Sequence, residues 1–230
     1  MSDTNFDSSE SNWSEFPREN SWDENQWRKY LKDSDDVIEN FLSVYDAHKG
    51  KPNHFDKIAA EMGWDIQDIS MTDEFEFEES EVEVEDEVND DDLEPYTPLS
   101  HPVIVVTHAL YGSLRKIWED YINEDDSTAS PQLCWRYADS LHQAEMTVVL
   151  AVHAIDLGDY GLTICHLKNS LSALNSSLSI VNNIVHTDAE FSERIREEIR
   201  LRLFDLRELW LRVMDDCRTE YNRHKGTDRN

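Results

Sequence analysis

His108 and Gly112 are four residues apart in a stretch with helical periodicity, so they share one face of a predicted helix. Leu110 and Leu114 fall on the opposite face, which is the side that a core would cover. An imidazole on the solvent face of a helix titrates near neutral pH and can act as a nucleophile or a base. His108 is therefore a candidate reactive group, although a plain surface histidine produces the same pattern.

The six residues His108-Ala109-Leu110-Tyr111-Gly112-Ser113 resemble the His-x-Leu-Lys-Gly-x motif of histidine phosphotransfer domains, which are also four-helix bundles. The resemblance implies that His108 would accept a phosphoryl group from a receiver domain and that Gly112 would leave room for that partner. Tyr111 stands where the family has Lys, and the similarity is confined to these six residues.

Glu145 occupies an apolar position in the second helix of the predicted bundle. The other residues of its row are Cys134, Ala138, Leu141, Val148, Val152 and Ile155. A lone buried carboxylate is costly or becomes protonated, so Glu145 needs a partner. Arg202 on the last helix and Tyr111 on the first lie at the same depth. We expect a buried polar layer of Glu145, Arg202 and Tyr111, with Glu145 and Arg202 paired, that fixes the helix register.

A metal site built on His142 and Glu145 is an alternative use of the same helix. Ferritin-like di-metal bundles need Glu-x-x-His on each of two helices and a Glu from each of two others. This chain has His142-x-x-Glu145 in the reverse order and no second copy. The sequence therefore predicts no metal and no other cofactor, with His142 and Glu145 as the ligands if one binds.

Residues 65–100 form a strongly acidic stretch between two helical regions. From Asp65 to Glu94 there are 16 Asp or Glu residues, and no Lys or Arg lies between Lys57 and Arg115. Phe75, Phe77, Val82 and Val84 alternate with Glu, but carboxylate repulsion opposes an isolated strand. The composition predicts a disordered linker. The alternative is a recognition segment whose four apolar side chains bind a partner.

The periodicity of residues 101–224 predicts four helices, at about 102–123, 131–156, 160–184 and 188–222. Their connections are short, which favours an up-down-up-down four-helix bundle. The third helix repeats apolar residues in a heptad row of Tyr160, Ile164, Leu167, Leu171, Leu174, Leu178, Val181 and Val185. The predicted fold class is all-α.

Residues 24–64 are predicted to form a helical hairpin, with Asn53 capping its second helix and Gly63 ending it. Residues 1–23 and 225–230 have the composition of disordered tails. The hairpin is too small to have its own core, so we expect it to pack on the bundle. Its expected contact is a second apolar strip on the last helix, made of Leu201, Phe204 and Leu211. The alternative is that this strip mediates dimerisation.

The formal net charge of −29 disfavours nucleic acid and anionic membrane surfaces as partners and favours a basic protein. Arg218 and His224 fit the loose Arg-x4-6-His pattern of helical HEPN-type RNA nucleases. Arg136 and His142 fit it equally well, so the pattern has little specificity. No apolar run is long enough to span a membrane.

Cys134, Cys165 and Cys217 are odd in number and widely spaced, which is typical of reduced cysteines in a cytoplasmic protein. The start of the chain has no signal-peptide pattern. Because no complete catalytic signature is present, we expect a non-enzymatic interaction or regulatory protein whose acidic segment recruits a basic partner. The alternative is a bundle of the histidine-phosphotransfer or metal-binding kind. The sequence does not determine the oligomeric state.

Overall fold

A computed structural model describes residues 22–64, 97–123, 130–183 and 189–227. All regular secondary structure in these ranges is helical, which confirms the predicted all-α class. The helices are α1 (Glu24–His48), α2 (His54–Met62), α3 (Pro102–Asn123), α4 (Pro131–Asp156), α5 (Tyr160–Asn182) and α6 (Ala189–Thr227), and a 3-10 turn (Pro98–Ser100) precedes α3. None of these helices is long and apolar enough to cross a bilayer.

Local capping explains where several helices begin and end. Oδ1 of Asp23 accepts hydrogen bonds from the first turn of α1, and the backbone N–H of Asp23 donates one to Oε1 of Gln26, so the pair forms a capping box. Ser130 caps α4 in front of Pro131. Asn53 precedes α2 as expected, but its backbone is left-handed, with φ 53°, and its side chain makes no capping hydrogen bond. Asn53 is therefore the N-cap residue, as predicted, but it caps the helix without its side chain.

Helices α3 to α6 pack around a shared apolar core. α3 contacts α4 and α6, and α5 contacts α4 and α6, so each helix has two neighbours in a closed ring. Fully buried side chains from all four helices fill the centre, among them Leu114, Leu141, Leu174 and Trp210. This helical bundle positions the candidate site described below.

The interface between α4 and α5 is built from small side chains. Ser140 and Ser177 share a hydrogen bond of 2.8 Å, and Thr147 and Ser170 share one of 2.6 Å. The buried row of α5 includes Thr163, Ser170 and Ser177, whereas Ile164, Leu171 and Leu178 of the predicted heptad row are only partly buried. Small residues let the two helices approach closely, so α5 is rotated away from the seam that apolar periodicity predicts.

The N-terminal hairpin lies against the bundle through α3 and α6. Tyr45 of α1 donates a hydrogen bond of 2.5 Å to Asp205 of α6. Asp56 of α2 lies 3.2 Å from Arg212. The hairpin does not cover the apolar strip of α6 that the sequence predicted as its contact. Phe204 and Leu211 of that strip are 50% and 42% exposed. The hairpin instead covers the neighbouring face of α6, where ionic contacts accompany the apolar ones.

Candidate functional site around His108

His108 and Glu145 form a hydrogen-bonded pair across the α3–α4 interface. Nδ1 of His108 lies 2.7 Å from Oε1 of Glu145. The Glu145 side chain is 11% exposed, whereas the His108 side chain is 30% exposed. The carboxylate is therefore inside the bundle and the imidazole is at its surface.

Arg115 completes a three-residue cluster by binding the same carboxylate. Its Nη1 lies 2.7 Å from Oε2 of Glu145, and its Nη2 lies 3.4 Å from Oε1. Burial raises the pKa of Glu145, but the hydrogen bonds from His108 and Arg115 outweigh burial, and the net pKa is below its usual value. Glu145 is thus a fixed negative charge at neutral pH.

Helix geometry brings these three side chains together. His108 and Arg115 are seven residues, or about two turns, apart on α3 and so share one face. Glu145 comes from the middle of α4, which packs along α3. Its carboxylate bridges the two α3 side chains, so their positions depend on the register of α3 against α4.

The hydrogen bond from His108 to Glu145 determines which ring nitrogen is available for chemistry. An ionised carboxylate only accepts, so Nδ1 carries the proton and the neutral imidazole has its lone pair on Nε2. Nε2 makes no hydrogen bond to the described residues, and it is not among their buried unpaired side-chain atoms. The neutral imidazole therefore has its lone pair on Nε2, in a side chain that is 30% exposed, and this is the nitrogen that can act as a nucleophile or a base.

Gly112 lies one turn after His108, and no neighbouring atom requires a glycine there. A Cβ built at Gly112 would have nothing within 4 Å. A glycine inside a helix costs about 1 kcal/mol relative to alanine. Neither packing within the described residues nor the backbone conformation requires a glycine at position 112. The open space beside His108 can therefore be occupied by a group from outside the described residues.

The expected pairing of Glu145 with Arg202 is replaced by other partners. Arg202 is buried, but its Nε donates to Ser113 at 2.9 Å and its Nη1 donates to Glu198. Tyr111 is fully buried and stacks on Trp210, and its hydroxyl has no hydrogen-bond partner among the described residues. Burial and the Glu145 carboxylate raise the pKa of Tyr111 well above its usual value. Equal depth along the bundle is not enough to predict which side chains pair. Arg115 on the adjacent helix α3 binds Glu145 in place of Arg202.

The metal alternative receives no support from this geometry. Both carboxylate oxygens of Glu145 are within hydrogen-bond distance of His108 or Arg115, so a cation there would meet a guanidinium. His142 is exposed, one turn before Glu145. Among the described residues there is no group of three or more His, Cys, Asp or Glu side chains that could hold a metal ion.

Sequence reasoning overlooked Arg115 and treated His108 and Glu145 separately. The spacing of seven residues between His108 and Arg115 was the available signal, since it places both on the helix face that meets α4. The proposed partner-binding residues Phe75, Phe77, Val82 and Val84 lie outside the described residues.

A second buried cluster joins the hairpin to α6. Asp205 is 5% exposed; its Oδ2 accepts from the Tyr45 hydroxyl, and its Oδ1 lies 3.2 Å from Nε2 of His54. Nδ1 of His54 donates to the carbonyl of Lys51 at 3.2 Å. Burial raises the pKa of Asp205 more than Tyr45 and His54 lower it. This cluster is enclosed between helices and fastens the hairpin.

No protein-family model, curated protein or solved structure matches this chain.

Proposed function

We propose that this chain is a regulatory interaction protein whose bundle accepts a phosphoryl group on Nε2 of His108. The observation that carries the proposal is the arrangement of His108: Nδ1 is held by Glu145, Glu145 is held by Arg115, and the imidazole is 30% exposed with no hydrogen bond from Nε2 to the described residues. A histidine oriented by a carboxylate keeps one tautomer, which exposes the lone pair that a nucleophile needs.

The transfer balances without a further reactant. The Nε2 lone pair attacks the phosphorus of a phosphorylated partner, and an N–P bond forms as the bond to the partner's leaving group breaks. The leaving group keeps the bonding electron pair. The proton stays on Nδ1, and the positive charge that develops on the ring is stabilised by the Glu145 carboxylate at 2.7 Å.

The surroundings of His108 also support a protein as the phosphoryl donor. Gly112 leaves open space one turn away on the same helix face.

The closed ring of contacts among α3, α4, α5 and α6 and their short connections support an up-down-up-down four-helix bundle. A partly exposed histidine on such a bundle can be reached by a protein partner with little movement of the interface backbone.

The test is phosphorylation of the purified full chain by phosphoramidate, a small phosphoryl donor, followed by intact-protein and peptide mass spectrometry. We expect one acid-labile phosphoryl group on His108. His108→Gln should abolish it, whereas His142→Gln, which alters an exposed histidine of α4, should leave it unchanged.

Two results would overturn the proposal. One is a phosphoryl group that persists in folded His108→Gln protein, which places the modification elsewhere. The other is equal labelling of His108 and the exposed His142, because the cluster would then confer no reactivity beyond that of a surface imidazole.

A non-enzymatic interaction protein, in which the acidic segment recruits a basic protein partner, is the second candidate. The supporting observation is the charge distribution, with 16 Asp or Glu between Asp65 and Glu94 in a chain of net charge −29. In a pull-down at low and high salt, a version lacking residues 65–96 should lose the partner that the full chain binds at low salt. Binding that survives both the deletion and high salt would contradict this candidate.

A further inference from the structure

Helix α4 is apolar on two faces, of which the bundle core covers only the inner one. On the outer face four large apolar side chains are exposed, namely Trp135 (74%), Met146 (46%), Leu150 (44%) and Leu157 (81%). Only three charged residues of α4 are exposed, Arg136, Asp139 and Asp156, whereas most exposed side chains of α6 are charged. An exposed apolar face with so little charge is typical of a surface that binds another protein.

The four exposed apolar residues belong to one row whose spacing is symmetric about Met146. Counted outward from Met146 in either direction, the row advances by four, three and four residues. It consists of Trp135, Asp139, His142, Met146, Leu150, His153 and Leu157, all of which are exposed. At 100° per residue these side chains lie within about 80° of one another around the helix. Steps of three and four residues form the kind of row along which two helices pack.

This row is complementary to a second copy of itself in antiparallel orientation. When a twofold axis passes through Met146, residues equally far from Met146 on the two copies come to the same level. Trp135 then lies beside Leu157 of the second copy. Asp139, the only acidic residue of the row, lies beside His153 of the second copy, whose ring N–H can donate to the carboxylate. The carboxylate of each copy therefore meets a donor, and no two carboxylates of the row meet.

We propose that two copies of this chain associate through the outer face of α4, as an antiparallel helix pair with its twofold axis at Met146. Trp135 and Leu157 are about 33 Å apart along a helix, so the contact would extend over most of α4. The proposal does not depend on the reactivity of His108, because the centre of the row lies about 100° around α4 from Glu145.

Sedimentation velocity of the full chain over a wide range of protein concentration tests the association. We expect a reversible dimer. Met146→Glu brings two carboxylates together at the axis and should weaken the dimer at least about tenfold. The matched control, Leu211→Glu, changes a 42% exposed leucine of α6 and should leave the dimer unchanged. A chain that stays monomeric at every concentration, or a dimer that is lost only in Leu211→Glu, would overturn the proposal.

Disulfide formation on mild oxidation tests the position of the axis. Two helices packed 8–10 Å apart bring facing Cα atoms to about 4–5 Å, which a disulfide can span. We expect Met146→Cys to form a linked dimer in a chain whose Cys134 and Cys165 are replaced by Ser. Gln143→Cys, at an exposed position of α4 outside the row, should not form one. Equal linking of the two variants would contradict the proposed axis.

Exchange of the two polar residues of the row tests the pairing itself. His153→Asp alone places two carboxylates beside each other in each half of the interface and should weaken the dimer about tenfold. Asp139→His added to His153→Asp restores an unlike pair and should recover most of the wild-type affinity, as sedimentation velocity measures. If the double variant dimerises no better than His153→Asp, then Asp139 does not face His153 and the proposed register is wrong.

Discussion

Glu145 and Asp205 are both buried carboxylates that face a histidine, yet their surroundings push their pKa values in opposite directions. Burial raises the pKa of each. Glu145 also binds the Arg115 guanidinium and the His108 imidazole, and its net pKa falls. Asp205 has the Tyr45 phenol and His54 as partners, and its net pKa rises. The two pKa values shift in opposite directions because only Glu145 has a guanidinium within hydrogen-bond distance.

The two histidines differ in access to solvent as well. His54 has an 11% exposed side chain, and both of its ring nitrogens face oxygen atoms within the protein. His108 has a 30% exposed side chain, and within the described ranges only its Nδ1 makes a hydrogen bond. A carboxylate–histidine pair is therefore not by itself a reactive site. It becomes a candidate when the carboxylate is held ionised and the second nitrogen is open.

The largest stability loss is expected from Asp205→Ala. The change leaves the Tyr45 hydroxyl buried without its acceptor and removes the Asp205 carboxylate that lies 3.2 Å from Nε2 of His54, which should lower the free energy of unfolding by about 3 kcal/mol. Urea denaturation measures this. Asp215→Ala, at an exposed position of the same helix, should change it by less than about 0.5 kcal/mol. Equal losses in the two variants would remove Asp205 as the fastening residue of the hairpin.

The largest chemical effect is expected from Glu145→Gln. A neutral amide no longer holds the Nδ1 proton of His108 as a carboxylate does, so phosphorylation by phosphoramidate should slow about tenfold or more. Asp205→Asn is the matched change at the other carboxylate and should leave the rate unchanged. If both variants slow the reaction equally, the effect comes from loss of structure and the distinction between the sites fails.

The pH dependence of stability should have opposite signs at the two carboxylates. The Glu145 pKa lies below its usual 4.5, so its contribution is present above 4.5 and is lost as the pH falls through the folded pKa. The Asp205 pKa lies above its usual 3.8, so its contribution is full below 3.8 and is lost as the pH rises through the folded pKa.

Urea unfolding of wild type, Glu145→Gln and Asp205→Asn across this acidic range measures both signs. As the pH falls, the difference in free energy of unfolding between wild type and Glu145→Gln should become smaller. The difference between wild type and Asp205→Asn should change in favour of wild type. Two differences that change in the same direction would contradict the assigned pKa shifts.

The sequence predicted the helices well because their signals are local. Ser130 and Pro131 mark the start of α4, and Gly63 ends α2 with its left-handed backbone. The rotation of α5 was not predictable from apolar periodicity, since Ser170 and Ser177 are buried through hydrogen bonds to α4. Small polar residues carry no clear burial signal in a sequence.

The candidate site was predicted in pieces but not as a cluster. A charged residue in the apolar row identified Glu145, and a motif identified His108, each from its own helix. Their contact depends on the register of α3 against α4, which periodicity does not fix. The burial of Asp205 could not be predicted from its own helix, because it comes from Tyr45 and His54, more than 140 residues away in the chain.

The smallest expected effect, Gly112→Ala, separates folding from function most directly. A Cβ at Gly112 meets nothing within 4 Å, so alanine should raise the free energy of unfolding by about 1 kcal/mol through helix propensity alone. Thermal unfolding measures the gain. Phosphoramidate is small and should still label His108, whereas Gly112→Trp should impede a protein donor that approaches over this face. A loss of stability in Gly112→Ala would mean that the fold itself needs the glycine, and the open space would no longer point to a partner.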